Sequence, residues 1–206
     1  MHWQYVSYAL PLIVAAAISF AVAVFAWRRR TAPGATALAL LMLAAAEWSL
    51  AYALRLASVD LPIKIFWSQI RYVGIVVTST AWLVFALQYT GRGAMWLTRR
   101  GLAWLAVEPL VILLLVWTNK YHNLIWTNIE LESVGSLLVW HASHGAAWWV
   151  HTAYSYLLIL LGDLLIIQLL IRSPRLYREQ AGALLIGMLA PLLGNVLSVF
   201  NLIPTP

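Results

Sequence analysis

The chain has no cysteine, only seven acidic residues and no polar segment long enough to form a soluble domain. Without cysteine there are no disulfides, no thiolate nucleophile and no Cys-ligated cluster. Charged residues make up 10% of the 206 positions, against roughly a quarter in an ordinary soluble protein, so a conventional water-exposed surface is excluded. Also missing are a glycine-rich phosphate loop, a nucleophile elbow and the signature strings of a kinase catalytic domain. No histidine is expected deep enough in an apolar stretch to face another across a haem, and no cofactor is expected. These absences describe a chain that is not itself an enzyme. An internal repeat is absent too, which weighs against an inverted-repeat transporter.

What is present is apolar. Hydrophobic residues account for 63% of the chain and the mean hydropathy is +0.83. Six stretches, at 5–27, 36–57, 65–89, 102–118, 148–171 and 181–203, each approach or exceed the roughly 20 residues that span about 30 Å of hydrocarbon. Arginines mark alternate connections: Arg28-Arg29-Arg30, then Arg92, Arg99 and Arg100, then Arg172, Arg175 and Arg178. Positive loops stay in the cytoplasm, so both termini are expected outside. The expected fold is therefore an all-α, six-span membrane bundle forming one domain over 1–206. The net charge of +6 is read as a topology signal and not as a nucleic-acid surface. Charges follow the first stretch instead of preceding it, so that stretch reads as a mature helix and not a signal peptide. Many of the twelve tryptophans, Trp3, Trp27, Trp67, Trp148 and Trp149 among them, sit at stretch ends, where aromatic rings anchor at the membrane interface.

One connection is long. Residues 119–147 carry two β-prone runs, Asn128–Glu132 and Leu137–Trp140, around Ser133-Val134-Gly135-Ser136, which suggests an outer hairpin. A lone hairpin is marginal in water, so it is expected to lie across the helix ends as a lid. His122, His141, His144 and His151 fall in or beside this loop, but His141-x-x-His144 matches no strict metal motif and no metal site is assigned.

Charges at membrane depth cost at least ~2.5–3.5 kcal/mol each on insertion scales, so each needs a reason. Glu47 and Arg71 fall at depths where neighbouring helices allow an ion pair. Glu108 and Asp163 count to similar heights above the cytoplasmic ends, a spacing that fits either two carboxylates sharing a proton or one or both of them neutral and hydrogen-bonded within the bundle. Pro109 predicts a kink. Asn195, beside Pro191 and Gly194, is placed to bond across helices.

Several strings then carry a resemblance. They are Glu47-Trp48-Ser49-Leu50-Ala51-Tyr52-Ala53-Leu54, Phe66-Trp67-Ser68-Gln69-Ile70-Arg71-Tyr72-Val73-Gly74 and Trp82 through Arg92. Glu108-Pro109, Thr118-Asn119, His122-Asn123-Leu124-Ile125-Trp126 and Gly187…Pro191…Asn195 follow in order. As an ordered set they resemble the seven-helix N-terminal sensor region of bacterial membrane histidine kinases. The resemblance implies a non-catalytic receptor input in the bacterial cytoplasmic membrane, with Trp67, Arg71, Tyr72, Asn119, His122 and Trp126 around an outward-facing site. It implies membrane lipids and a small amphipathic or apolar ligand as partners. Where relatives carry a proline in the third stretch, this chain has Thr78-Ser79-Thr80, and a seventh span and effector do not follow within the 206 residues. If the chain is truncated, a cytoplasmic effector is its partner. If it is complete, it is an accessory subunit among neighbouring membrane proteins. A small transporter is the third alternative.

Overall fold

The computed structural model describes residues 4, 6, 9–134 and 137–172, with a few single positions between 182 and 193. The sixth expected stretch, the C-terminus and Asn195 lie outside the described residues. Within them the protein is mainly helical: α1 (Ala9–Arg28), α2 (Ala35–Ala57), α3 (Leu61–Tyr89), a single turn α4 (Gly93–Trp96), α5 (Arg99–Trp117) and α6 (Ala146–Arg172). A 3-10 turn, Asn119–Tyr121, leads into β1 (Trp126–Val134) and β2 (Leu137–His144). Five helices, α1, α2, α3, α5 and α6, are long and apolar enough to cross a membrane.

The breaks come from local chemistry. Gly34 adopts φ +82° immediately before α2, a left-handed conformation that glycine reaches without strain. Asp60 precedes α3 and Pro62 occupies its first turn, where a missing N–H costs nothing, so the helix begins at Leu61 and not at 65. Thr98 caps α5 by accepting the Gly101 N–H at 3.1 Å. α5 continues through Pro109 as one assigned helix.

The outside of the bundle is apolar. Leu10, Val14, Ile18 and Phe25 of α1, Trp104, Leu110 and Leu114 of α5, and Val150, Leu157, Leu164 and Ile171 of α6 are all exposed. In water such a surface would aggregate; in lipid it is the solvated face. The inside is built from small residues. Ala9, Ala16, Ala23 and Ala26 line the buried side of α1, and Ala37, Ala39, Ala44, Ala46, Ala51 and Ala53 that of α2. Small side chains let backbones approach where no hydrophobic effect drives helices together.

α3 lies at the centre, packed on α2, α5 and α6. Its larger core residues, Trp82, Phe85 and Ala86, meet Leu41 of α2 and Ile159 and Ile166 of α6. The hydroxyls of Thr78, Ser79 and Thr80 are turned onto their own helix: Thr78 Oγ1 donates to the Gly74 carbonyl (2.7 Å), and Thr80 Oγ1 to that of Val76 (3.3 Å). Ser79 reaches the Val76 carbonyl at 3.5 Å. Such back-bonding satisfies a hydroxyl where no water is present.

α2 and α3 approach closely at Gly74. A Cβ there would overlap Glu47 Oε2, the Ala44 carbonyl and Trp48 Cβ, two of which cannot simply swing away. Gly74→Ala is therefore expected to force α2 and α3 apart and cost roughly 1–3 kcal/mol, as overpacking does. Thermal unfolding of the purified protein in detergent measures it; an unchanged midpoint would refute the close packing.

Candidate functional site

Polar groups collect at the end of the bundle covered by the hairpin. β1 and β2 pair antiparallel, with Trp126 opposite His144 and Glu130 opposite His141. The register slips between Thr127 and Glu130, where Asn128 adopts φ +49°, a left-handed conformation asparagine tolerates. This bulge places Trp126, Ile129, Trp140 and Ala142 toward a core completed by Val76 of α3 and Ile112 and Val116 of α5. Trp126 meets Trp140 edge to face at 5.3 Å.

Asn119 holds the base of the hairpin. It is buried, its Nδ2 donates to the Trp126 carbonyl (2.9 Å), and its Oδ1 accepts the N–H groups of Ile125 (2.9 Å) and Trp126 (3.2 Å). His122 is committed as well. Its Nδ1 accepts the Leu124 N–H (3.0 Å), so Nε2 carries the proton toward Thr118 Oγ1 (3.0 Å), which itself donates to the Leu114 carbonyl (2.7 Å). Gln4 ties the other edge down: its amide nitrogen donates to the Leu56 and Leu138 carbonyls at 2.8 and 3.1 Å, and its oxygen accepts the Leu138 N–H at 3.0 Å. The hairpin is thus fastened to both α5 and the end of α2.

Tyr72 connects this cover to the helices. It is 2% exposed, lies edge to face against Trp126 at 5.3 Å, and sits 6.1 Å from the ring of His151. His151 is buried within α6, deeper in the packing than its position near the start of an apolar stretch suggests. Its Nδ1 lies 2.7 Å from Glu108 Oε1, and its Nε2 faces Ser155 Oγ at 3.5 Å.

That pairing corrects the expectation for the acids. Tyr154 donates to the Leu105 carbonyl, so α5 and α6 run antiparallel with Glu108 level with His151. Asp163 lies twelve residues further along α6, about 18 Å at 1.5 Å per residue. The two carboxylates therefore share no proton. Counting from helix ends misjudged the relative shift of α5 and α6, which side-chain packing decides. Asp163 is buried beside the Trp82 indole instead, a ring admitted because Gly162 has no side chain. Near that indole, at the other end of the bundle, a largely apolar cavity of about 710 Å³ is lined by Phe25, Arg29, Leu38, Met42 and Phe85.

The neighbouring residue on α3 faces the other way. Arg71 is half-buried, its guanidinium 5.3 Å from the Tyr52 ring, and its Nε makes no hydrogen bond. Glu47 is close enough to interact electrostatically with Arg71 but forms no direct ion pair; its carboxylate lies beside Gly74. Neither of its oxygens has a hydrogen-bond partner. Trp67 lies on α3 against Phe66, their ring centroids 5.3 Å apart. Of the six expected site residues, the fold thus gathers Tyr72, Asn119, His122 and Trp126 beneath or within the hairpin and turns Arg71 toward α2. His151, which the sequence reading grouped with the loop histidines, and Gln4, which it did not single out, complete that end. A lone histidine and a lone glutamate on adjacent apolar helices were the available signal.

His141 and His144 do not converge with His151, and among the described residues no cluster of three or more His, Asp or Glu side chains is arranged to hold a metal. His144 stacks on Trp148 at 3.7 Å. Burial against that ring, with His141 nearby, lowers its pKa below the usual 6.5, so the stacked ring is neutral at pH 7. Stability from this contact is present above pH 6.5 and is lost as the pH falls through the lowered value.

Apolar helices with a lipid-compatible exterior, and a hairpin docked on their polar end, define a multi-pass membrane protein. The chain belongs to the family described as the N-terminal 7TM region of histidine kinase, whose model matches residues 11–206. No curated protein and no solved structure matches the chain. A region of this family is the membrane input of a kinase and not its catalytic part.

Asn119→Ala would leave the Ile125 and Trp126 N–H groups without acceptors, at about 1–3 kcal/mol each. The expected result is faster proteolysis and hydrogen exchange over residues 126–144 with the helical circular dichroism unchanged. Equal protection in the variant would show that Asn119 does not hold the hairpin.

Proposed function

We propose that the chain is the sensory input region of a histidine-kinase-type receptor in the bacterial cytoplasmic membrane, with the hairpin outside and the arginine-rich connections inside. The observation that carries this reading is the family membership over nearly the whole chain. Positive charge supports the orientation: Arg28–Arg30 and Arg92, Arg99 and Arg100 lie at the helix ends opposite the hairpin. Six spans with both termini outside are part of the same proposal.

The signal, on this reading, is a small amphipathic or apolar ligand or a change in the surrounding lipid, received where Tyr72 and Trp126 join hairpin to bundle. Any such signal acts only through different affinity for two arrangements of the bundle. Tyr72 is the element both sides bias. A displacement of the hairpin moves Trp126, and through Tyr72 it bears on the His151–Glu108 pair between α5 and α6. α3 and α6 then carry the shift toward the cytoplasmic effector. An accessory subunit or a transporter would need no coupling between hairpin and kinase output.

The absence of natural cysteine makes orientation directly measurable. Glu132→Cys should react with a membrane-impermeant maleimide in intact cells, and Arg30→Cys only after permeabilisation; the reverse pattern would invert the assignment. For signalling, Gln4→Ala frees the hairpin from α2. In the receptor coupled to its kinase it should change basal autophosphorylation severalfold while membrane insertion stays normal. Wild-type output and wild-type responsiveness in that variant would contradict a role for the hairpin.

A further inference from the structure

We propose that the hairpin-side end of the α2–α3 pair is a binding site for an anionic oxygen group, a phosphate or a carboxylate, held by Arg55, Lys64 and Arg71 around Tyr52. These cations come from two helices and meet in one place. The Arg55 guanidinium is 4.7 Å from the Tyr52 ring and that of Arg71 is 5.3 Å from the same ring. Arg55 is close enough to interact electrostatically with Arg71 on one side and Lys64 on the other.

Lys64 is the least explained cation of the bundle. It is 1% exposed, so it does not reach water along its stem as interfacial lysines do. Its Nζ donates to the Arg55 carbonyl at 3.2 Å, which uses one of its three protons. It also lies in the first turn of α3, where the helix dipole disfavours a cation. Arg71 Nε is shut off from solvent without a partner.

The acids nearby do not balance this charge. Glu47 lies beside Gly74 and forms no ion pair to Arg71. Even if Asp60, at the start of α3, counts fully, three cations face two carboxylates. A buried, uncompensated cation is strongly unfavourable, and a bound anion is what relieves it. Guanidinium forks and an ammonium around one aromatic ring suit a multidentate oxyanion. The Tyr52 ring gives the two guanidiniums a face to rest on while the site is empty.

The location gives the site a consequence. Gln4 bonds both to the Leu56 carbonyl, next to Arg55, and to Leu138 of the hairpin. An anion that draws Arg55 and Lys64 together therefore acts on the same strut that fastens the hairpin. That consequence rests on the sensory reading; binding itself does not.

Two sources supply this chemistry, a soluble anion and an anionic lipid headgroup. The test uses the purified chain in nanodiscs of phosphatidylcholine, followed by thermal unfolding from tryptophan fluorescence. Inorganic phosphate or succinate is added at matched ionic strength against chloride, and a second set of discs contains phosphatidylglycerol. The proposal expects a rise of roughly 3 °C or more in at least one arm. A rise with phosphate or succinate in phosphatidylcholine identifies a soluble anion, and a rise confined to phosphatidylglycerol identifies a headgroup. Lys64→Met and Arg55→Gln should abolish that rise, and Lys64→Met should unfold no earlier than wild type without anion. No rise in any arm overturns the proposal, as does a rise that both variants retain. Should a variant fail to fold, the wild-type response and that of Lys64→Arg, which keeps the charge and the rise, decide. Failure here leaves the Gln4→Ala signalling experiment untouched, so the site and the sensory reading fall separately.

Discussion

A polar group inside this bundle finds no hydrogen-bond partner in hydrocarbon, so each one that the protein itself leaves unpaired is costly to bury. The rest of the architecture follows from that constraint. Backbone groups are satisfied within helices, and the hydroxyls of α3 fold back onto carbonyls one turn earlier. Alanine and glycine bring α1, α2 and α3 close enough for van der Waals contact to hold them. Side chains too polar for this treatment concentrate at the hairpin end, with Asp163 and Trp82 as a separate pair further down.

The hairpin belongs to that solution. By itself it would be marginal, but side-chain hydrogen bonds from Asn119, His122 and Gln4 fasten it and its base. Its tryptophans fill the space above Tyr72, so cover and bundle share one core. α3 then faces two ways at adjacent residues. Tyr72 reaches the hairpin and His151, while Arg71, about 100° around the helix, reaches Tyr52 and Arg55 of α2. A region that must report an event at one end of a bundle needs this sort of shared element.

The first five apolar stretches and the hairpin were legible because each is a local property. A run of twenty apolar residues, a glycine before a helix or a proline in its first turn acts over a few positions and needs no partner. The ion pair expected of Glu47 and Arg71 failed for a different reason. Both lie at suitable depths, yet where α2 and α3 approach closely at Gly74 the carboxylate lies beside that glycine and forms no ion pair with the guanidinium. Asn119 and His122 stood out in the sequence, but nothing local says that they serve the hairpin's own backbone.

The sequence by itself determined that the protein spans a membrane, where its helices break and which family it belongs to, since hydropathy, turn chemistry and ordered strings are written residue by residue. Only the tertiary structure decided which polar groups meet. Glu108 takes His151 and not Asp163 because the axial shift of α5 against α6 is set by interlocking side chains from both helices. The gathering of Arg55, Lys64 and Arg71 depends likewise on how α2 and α3 close at Gly74, a contact no single stretch of sequence contains.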